Sequence, residues 1–453
     1  MRRMPRRSWS RVVCLAACCA AVGVLLAVTA RGVSLDDCIT AALKNNPDAQ
    51  AAAYRVDAAR QAIQEAWSAY YPQISAVAGY TRTDNAGQAL FMNLNQRRMS
   101  FQGDLNHPPD TGNLRSSLVA KMLLLDGGQR DLGRRMAQLG ATASSAQQVA
   151  VYNDLVYQVT RGYHSVQQAH EFIEIQDETV KSFEENLRIA KERVMAGSAV
   201  RSDVLNLEVQ LAQAKEERIR ARHGFQLAVA ALNTAIGAEL VPEKGLPAIL
   251  DKSLPAQPAA DSSQVVALNR PELEAAALNA DILRHAWEKS RRDYLPRLSA
   301  FGSVDWDSDA SRAFERSYTA GVMLEWELFT GFRRGAAVRK ADGEYRIARA
   351  EEQKARNNLS LDLKQAQLGL SEAWERLSVT ILSVASADEA LRITRERYQK
   401  GAADISELLT AQLGRTTACT HTAAAYYDYL IAQANLARAR GELGRKWQKI
   451  RQE

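Results

Sequence analysis

The sequence predicts an α/β membrane protein, with long coiled-coil helices beside β-hairpins whose strands close a barrel only when several copies of the chain meet. Three observations carry this prediction. The chain is an internal duplication. Each half holds a segment of 70 residues between two glycines, with a coiled-coil apolar ladder. Each half also holds a hairpin whose strands alternate apolar and polar residues with matching parity.

The first element is a leader. Arg2, Arg3, Arg6, Arg7 and Arg11 precede an apolar run, Val12 to Val28, and Val28-Thr29-Ala30 fits a signal-peptide cleavage site, so residues 1–30 read as a secretory signal. Leu15-Ala16-Ala17-Cys18 also fits a lipoprotein box, so lipidation of Cys18 in place of cleavage after Ala30 stays open. The leader holds five Arg and no acid, so the formal charge of +6 falls to +1 beyond it, and the case for a nucleic-acid partner falls with it. Two of the five Cys, Cys38 and Cys419, follow the leader. They are expected on helices at different heights, without a disulfide. No later stretch reaches about 18 consecutive apolar residues, so a membrane span requires a β-barrel.

The duplication comes next. Asn45–Ala76 aligns with Asn269–Ala300, pairing Pro47 with Pro271 and Pro72 with Pro296 at an offset of 224. Beyond the hairpins the offset is 204, pairing Gly127 with Gly331 and Gly197 with Gly401, so the first half carries 20 extra residues between Pro72 and Gly127. The expected organisation is a first repeat over 31–237 and a second over 264–453, joined by a Pro-rich linker at 238–263. Each repeat reads helix, hairpin (72–126 and 296–330), long helix, tip turn (197–203 and 401–407) and helix.

The long helices rest on periodicity. Thirteen positions from Tyr152 to Val194, spaced alternately three and four, are apolar except at Gly162 and Gln176; the same ladder 204 residues on fails at Arg356, Thr380 and Thr394. A 3.5-residue period over six heptads predicts coiled-coil packing. Segments of 70 residues predict helices of about 105 Å. Ser202–Ile236 and Gln264–Leu295 read as shorter helices that together do the work of one long helix in a helical cylinder.

The strands alternate. Ile74, Ala76, Ala78 and Tyr80 share a face, as do Leu114, Leu118, Ala120, Met122 and Leu124. In the second half, Leu298, Ala300, Gly302, Val304 and Trp306 share one, and Tyr318, Ala320, Val322, Leu324, Trp326 and Leu328 another. Such alternation suits apolar groups on lipid and charge in a lumen. Four strands cannot enclose a usable lumen, and open edges cannot sit in lipid, so the barrel must be shared between identical chains.

The opening SLDDCITAALKNNPDAQAA, Tyr71-Pro72 and Leu295-Pro296, LLLDGGQR and LFTGFRRG at the strand-to-helix joins, and the two glycine turns occur together in an order and spacing that resembles the TolC-like outer-membrane efflux protein family over essentially the whole chain after the leader. The resemblance implies a homotrimer with a 12-stranded barrel and a 12-helix tube. It implies an exit duct across periplasm and outer membrane for a tripartite efflux pump or type I secretion system. The implied partners are outer-membrane lipid, a periplasmic adaptor and an inner-membrane transporter of RND or ABC type. No cofactor and no enzymatic activity are implied.

The resemblance also names gate residues. Tyr398 matches the family's tip tyrosine, Asp203 its acidic partner on the other turn, and Glu407 an acidic ring; Gly197 and Gly401 mark the turns that dock the adaptor. Ala403 and Thr410 depart from the family's Arg and second acid, implying a looser gate with one acidic ring. Glu407 also stands at capping-box spacing from Asp404, so ring and cap both stay open. At the joins, Asp126 and Thr330 are expected N-caps beside Gly127, Gly128 and Gly331. The extra residues around Leu90–Asn113 are expected outside the cell.

No P-loop or nucleophile elbow is present, and His170 and Glu174, at i and i+4, lack a third ligand. The competing reading is a soluble periplasmic coiled-coil scaffold.

Overall fold

A computed structural model of the chain describes residues 33–100, 104–241, 246, 254–258, 270–309, 311 and 313–450, the side chains of 448–450 excepted. The expected leader, with Cys18, and most of the expected Pro-rich segment lie outside the described residues. In chain order the elements are α1 (Leu35–Asn45), α2 (Pro47–Ser68), β1 (Gln73–Thr83), α3 (Ala86–Asn95), β2 (Thr111–Leu125), α4 (Gln129–Met195), α5 (Arg201–Ile236), α6 (Pro271–Arg291), β3 (Arg297–Ser308), β4 (Glu315–Glu325), α7 (Arg333–Gln399), α8 (Ile405–Arg440) and α9 (Glu442–Ile450).

The described residues group into two compact units that cut across the sequence repeats: residues up to Ala52, Gln148–Arg270 and Asn358 onward form one, Ala53–Gln147 and Pro271–Asn357 the other.

In the first unit, helix ends follow local chemistry. Ser34 and Asp37 form a reciprocal capping box at α1. Pro47 forces a break after α1, because it lacks an N–H and pushes Asn46 into an extended conformation. Asn46 then accepts the Asp48 N–H at 2.8 Å and donates to the Ala235 carbonyl at 2.8 Å, tying the break to the end of α5. Both α4 and α7 run 67 residues. Of the twenty-six ladder positions Arg356 alone is exposed. The first ladder feeds a core of Tyr152, Leu155, Val159 and Val166 packed with Cys38, Leu232, Ile236 and Trp447. Burial pushes the Cys38 thiol up to about 11; Cys38 and Cys419 are both free thiols.

Gly441, in the left-handed region, ends α8, and α9 folds back so that the Gly444 N–H meets Asn153 Oδ1 at 3.3 Å. Asn153 donates in turn to the Arg438 carbonyl at 2.9 Å. Nearby, Asp362 is held between Arg270 at 2.7 Å and Arg438 at 2.6 Å.

The second unit contains one antiparallel sheet in the order β1-β2-β3-β4. The register places Ile74 opposite Ala120, Ala76 opposite Leu118, Leu118 opposite Val304, Ala300 opposite Val322 and Val304 opposite Tyr318. The expected apolar residues therefore share one continuous face, on which Tyr318 is 79% and Val322 70% exposed. The opposite face is mainly polar, with Ser75, Arg115, Ser117, Lys121, Ser303, Asp305 and Asp307 beside Val77, Val119, Phe301 and Met323. A bulge between Leu123 and Leu125 ends the β2–β3 alternation. Trp326 and Leu328 lie beyond the end of β4 and are not part of that face; Trp326 instead donates to the Tyr294 carbonyl at 3.1 Å. Among the described residues, no helix is long and apolar enough to cross a membrane.

Burial raises the pKa of Asp362, and the hydrogen bonds and charges of Arg270 and Arg438 outweigh it, leaving the carboxyl below its ordinary 3.8. The clamp's contribution is therefore complete above about pH 4 and lost as pH falls through the lower folded value. Asp362→Asn takes the Asp362 carboxylate from Arg270, which is 4% exposed. It should cost about 2 kcal/mol, the low end because Asp362 is partly wet, and should flatten the acid limb of the unfolding curve in circular dichroism.

Candidate functional site

The two glycine turns share one core. Val180, Phe183 and Ala190 of α4, Leu207 of α5, Leu391 and Tyr398 of α7, and Ile405 and Leu408 of α8 pack together. Each turn is a Schellman motif. Ser198 N–H bonds Arg193 O at 2.9 Å and Gly197 N–H bonds Val194 O at 3.0 Å; Ala402 and Gly401 repeat this on Arg397 and Tyr398 at 2.8 and 3.0 Å. Gly197 (φ +70) and Gly401 (φ +76) supply the left-handed residue the motif needs.

Arg193 and Arg397, 204 residues apart, are duplicates: both turns share a Glu-Arg in sequence, a repeat that by itself assigns the arginines no role. Each donates to the carbonyl just past its glycine, Ser198 at 3.3 Å and Ala402 at 3.1 Å. Their other contacts differ. Arg193 crosses to the second turn, donating to the Tyr398 carbonyl at 2.6 Å with its guanidinium 4.7 Å from the centre of the Tyr398 ring. Arg397 stays in its own turn and pairs with Glu407 at 3.0 Å. The signal was present in the sequence as the Glu-Arg that precedes each glycine.

Tyr398 is 3% exposed, and among the described residues its hydroxyl has no hydrogen-bond partner. Burial raises its pKa, the Arg193 charge opposes that rise, and the Asp203 charge adds to it. Asp203 is half-buried near the ring and makes no hydrogen bond to the hydroxyl. Asp404 caps α8, accepting the Glu407 N–H at 2.8 Å. This bond, with Ser406, lowers its pKa. The other half of a capping box is not made, because the Glu407 carboxylate turns to Arg397. Glu407 is thus a half-exposed carboxylate at the second tip with one cationic neighbour.

The strand-to-helix joins also repeat an arginine. Arg130 donates to the carbonyls of Leu123 at 2.6 Å and Ala69 at 3.3 Å and lies 4.8 Å from the Tyr70 ring. Arg334 donates to the equivalent carbonyls, Glu327 and Asp293, and lies 5.2 Å from the Tyr294 ring. Asp126 accepts the N–H groups of Gly128 at 3.0 Å and Arg130 at 2.8 Å. The Thr330 hydroxyl instead accepts Arg334 Nε at 3.4 Å. Positive φ falls on Gly127 and Gly128 in the first join and on Gly331 and Phe332 in the second. Tips and joins lie in different units and are separate sites. Among the described residues, no cluster of three or more His, Cys, Asp or Glu is arranged to hold a metal ion; His170 and Glu174 form a pair at 3.7 Å.

The profile of the Outer membrane efflux protein family matches residues 38–238 and 263–442. The chain is 25% identical to the alkaline protease secretion protein AprF of Pseudomonas aeruginosa, over 91% of this chain and 85% of that one. It is 24% identical to the outer membrane protein TolC of Vibrio cholerae, over 89% of each. Its fold is that of the Campylobacter jejuni CmeC outer membrane channel, with a TM-score of 0.80 at 17% identity, over 92% of this chain and 88% of that one.

A β-carbon on Gly331 would meet nothing within 4 Å, whereas one on Gly127 would stand 2.6 Å from Leu295 Cδ1. Gly331→Ala should therefore cost about 1 kcal/mol of backbone strain. Gly127→Ala should cost clearly more in the same thermal melt, because Leu295 must also move; equal losses would contradict this account of the join.

Proposed function

Because the chain belongs to the outer membrane efflux protein family, we propose that it is a passive exit duct through which a transporter's substrate leaves the cell. As a member of that family it resides in the outer membrane, and the soluble-scaffold reading falls. The observation that carries the duct reading is the sheet: four strands, one apolar face, one polar face and two unpaired edges. Three chains would pair β4 of one copy with β1 of the next, giving 12 strands with the polar face lining the lumen.

On this reading the working partners are two further copies, a periplasmic adaptor and an inner-membrane transporter of RND or ABC type. The relatives' names point to protease secretion for AprF and an outer membrane channel for CmeC. Choice of substrate is assigned to the transporter. The glycine turns at Gly197 and Gly401 serve as the adaptor-docking tips, and the joins at Asp126, Gly127, Gly128, Thr330 and Gly331 set the passage from strand to helix.

The tips act as the gate. Threefold symmetry would bring three copies of Glu407 around a narrow pore, each tempered by Arg397, with Asp203 beside Tyr398 as the second acidic group. With Ala403 offering no cation, Arg193 from the other turn acts as the latch, holding Tyr398 by its carbonyl and its ring.

Glu407→Gln should lower cation over anion selectivity in planar-bilayer recordings of the purified chain, by about threefold in permeability ratio; unchanged selectivity removes the ring. Arg193→Ala removes the hydrogen bonds to the Tyr398 and Ser198 carbonyls and one cation–π contact; the two contacts that reach Tyr398 are together worth about 2 kcal/mol. It should raise the frequency of open events in the same recordings while leaving selectivity in place. An unchanged opening frequency would mean that Arg193 only caps its own turn.

A further inference from the structure

We propose that the insertion in the first hairpin forms an apolar constriction at the outer mouth, with α3 of each copy offering Phe91 and Leu94 to the same residues of the other copies. This rests on the trimeric duct proposed above.

The placement of α3 follows from parity. Asn85 caps the helix, accepting the Gln88 N–H at 3.1 Å. One side packs down: Ala89 is fully buried, and Leu90 and Met92 are half-buried. The other side presents Phe91, 65% exposed, and Leu94, 46% exposed, three residues apart and so adjacent on the helix surface. At its C-terminal end Arg97 takes a positive φ of 53°, which turns the chain sharply.

Polar anchors then fix α3 to one side of the sheet. Gln96 is buried, and its amide donates to the Gly112 carbonyl at 2.8 Å and to Asn113 Oδ1 at 2.9 Å. Asn113 donates to Asp307 Oδ1 at 2.5 Å, and Arg115 reaches the same oxygen at 2.9 Å. Asn113, Arg115 and Asp307 all belong to the polar face, the face assigned to the lumen. Arg97 pairs with Glu315 at 3.2 Å, again on that face, and Arg98 with Asp309 at 2.6 Å. The insertion ties both hairpins together from the polar side, at the end of the sheet away from the helix joins. The Asp307 side chain is 1% exposed, which a loop standing free in solvent would not achieve. Its burial is tolerable because every contact is a charge-assisted hydrogen bond.

Phe91 and Leu94 therefore stand on the inward side of a sheet whose polar face lines water. Exposed apolar groups there gain by leaving water together, and threefold closure supplies identical partners. An apolar ring of this kind sheds water and restricts ions without any titrating group. The 20 extra residues of the first half thus become a built constriction that the shorter second hairpin lacks.

The test uses the detergent-purified full chain in planar bilayers. F91S/L94S should raise single-channel conductance at least about twofold over the parent by wetting the constriction; an unchanged conductance overturns the proposal. Both side chains are exposed, so the variant should fold as the parent does. Phe91→Cys in a C38S/C419S background treated with a short bis-maleimide should give dimers and trimers on denaturing gels, with none from that background alone; monomer alone overturns the meeting of the helices. If the parent itself forms no pores, the duct reading fails, and a parent that conducts isolates failure of this inference alone.

Discussion

A β-strand edge in hydrocarbon leaves a row of backbone donors and acceptors with no water to meet them, each at a cost of several kcal/mol. The sheet of this chain has two such edges, β1 and β4, and between them an apolar face on which Ile74, Tyr80, Tyr318 and Val322 stand largely uncovered. An aqueous setting would leave that face unburied, and a bilayer would leave the edges unpaired. Joining β4 of one copy to β1 of another removes both problems at once. A barrel shared in this way would also give the polar face a lumen and give the tips and α3 their symmetry mates.

Duplication explains how one set of solutions is used twice, and where it diverges. At the joins the same arginine does the same work: Arg130 and Arg334 each bind two matched carbonyls in front of a tyrosine ring, and Arg130 adds a third, that of Leu124. At the tips the duplicated arginines part company. Tyr398 offers Arg193 a ring face and a carbonyl, while the residue matching Tyr398 in the first turn is Val194. Arg397 has no ring to reach and settles on Glu407. One aromatic substitution between repeats thus separates a contact across the two turns from a local ion pair.

Much of the fold was legible because it is periodic. The heptad ladder marked a stripe that is buried or half-buried at every position but Arg356, and strand parity placed the apolar residues on one face from Ile74 to Leu324. What escaped was aperiodic. The break at Asn46 depends on one proline and one side-chain cap, α9 depends on Gly441, and α3 is a ten-residue helix inside a segment read as loop. Trp326 and Leu328 continued the alternation on paper, but β4 stops at Glu325. At the candidate site, Tyr398, Asp203 and Glu407 were reached through resemblance, whereas Arg193 was not. Its contacts across the turns are to a backbone carbonyl and a ring 205 residues away, which no local spacing encodes. The Ala403 position suggested a gate short of one cation; the cation arrives from the other turn.

The central claim is that this sheet is completed only by further copies of the chain, and the protein mass of the detergent-purified particle tests it most directly. Multi-angle light scattering with the detergent contribution subtracted should return three chains, each at most 50.0 kDa before any leader is removed. A monodisperse single chain that also stays in solution after the detergent is withdrawn would contradict the account.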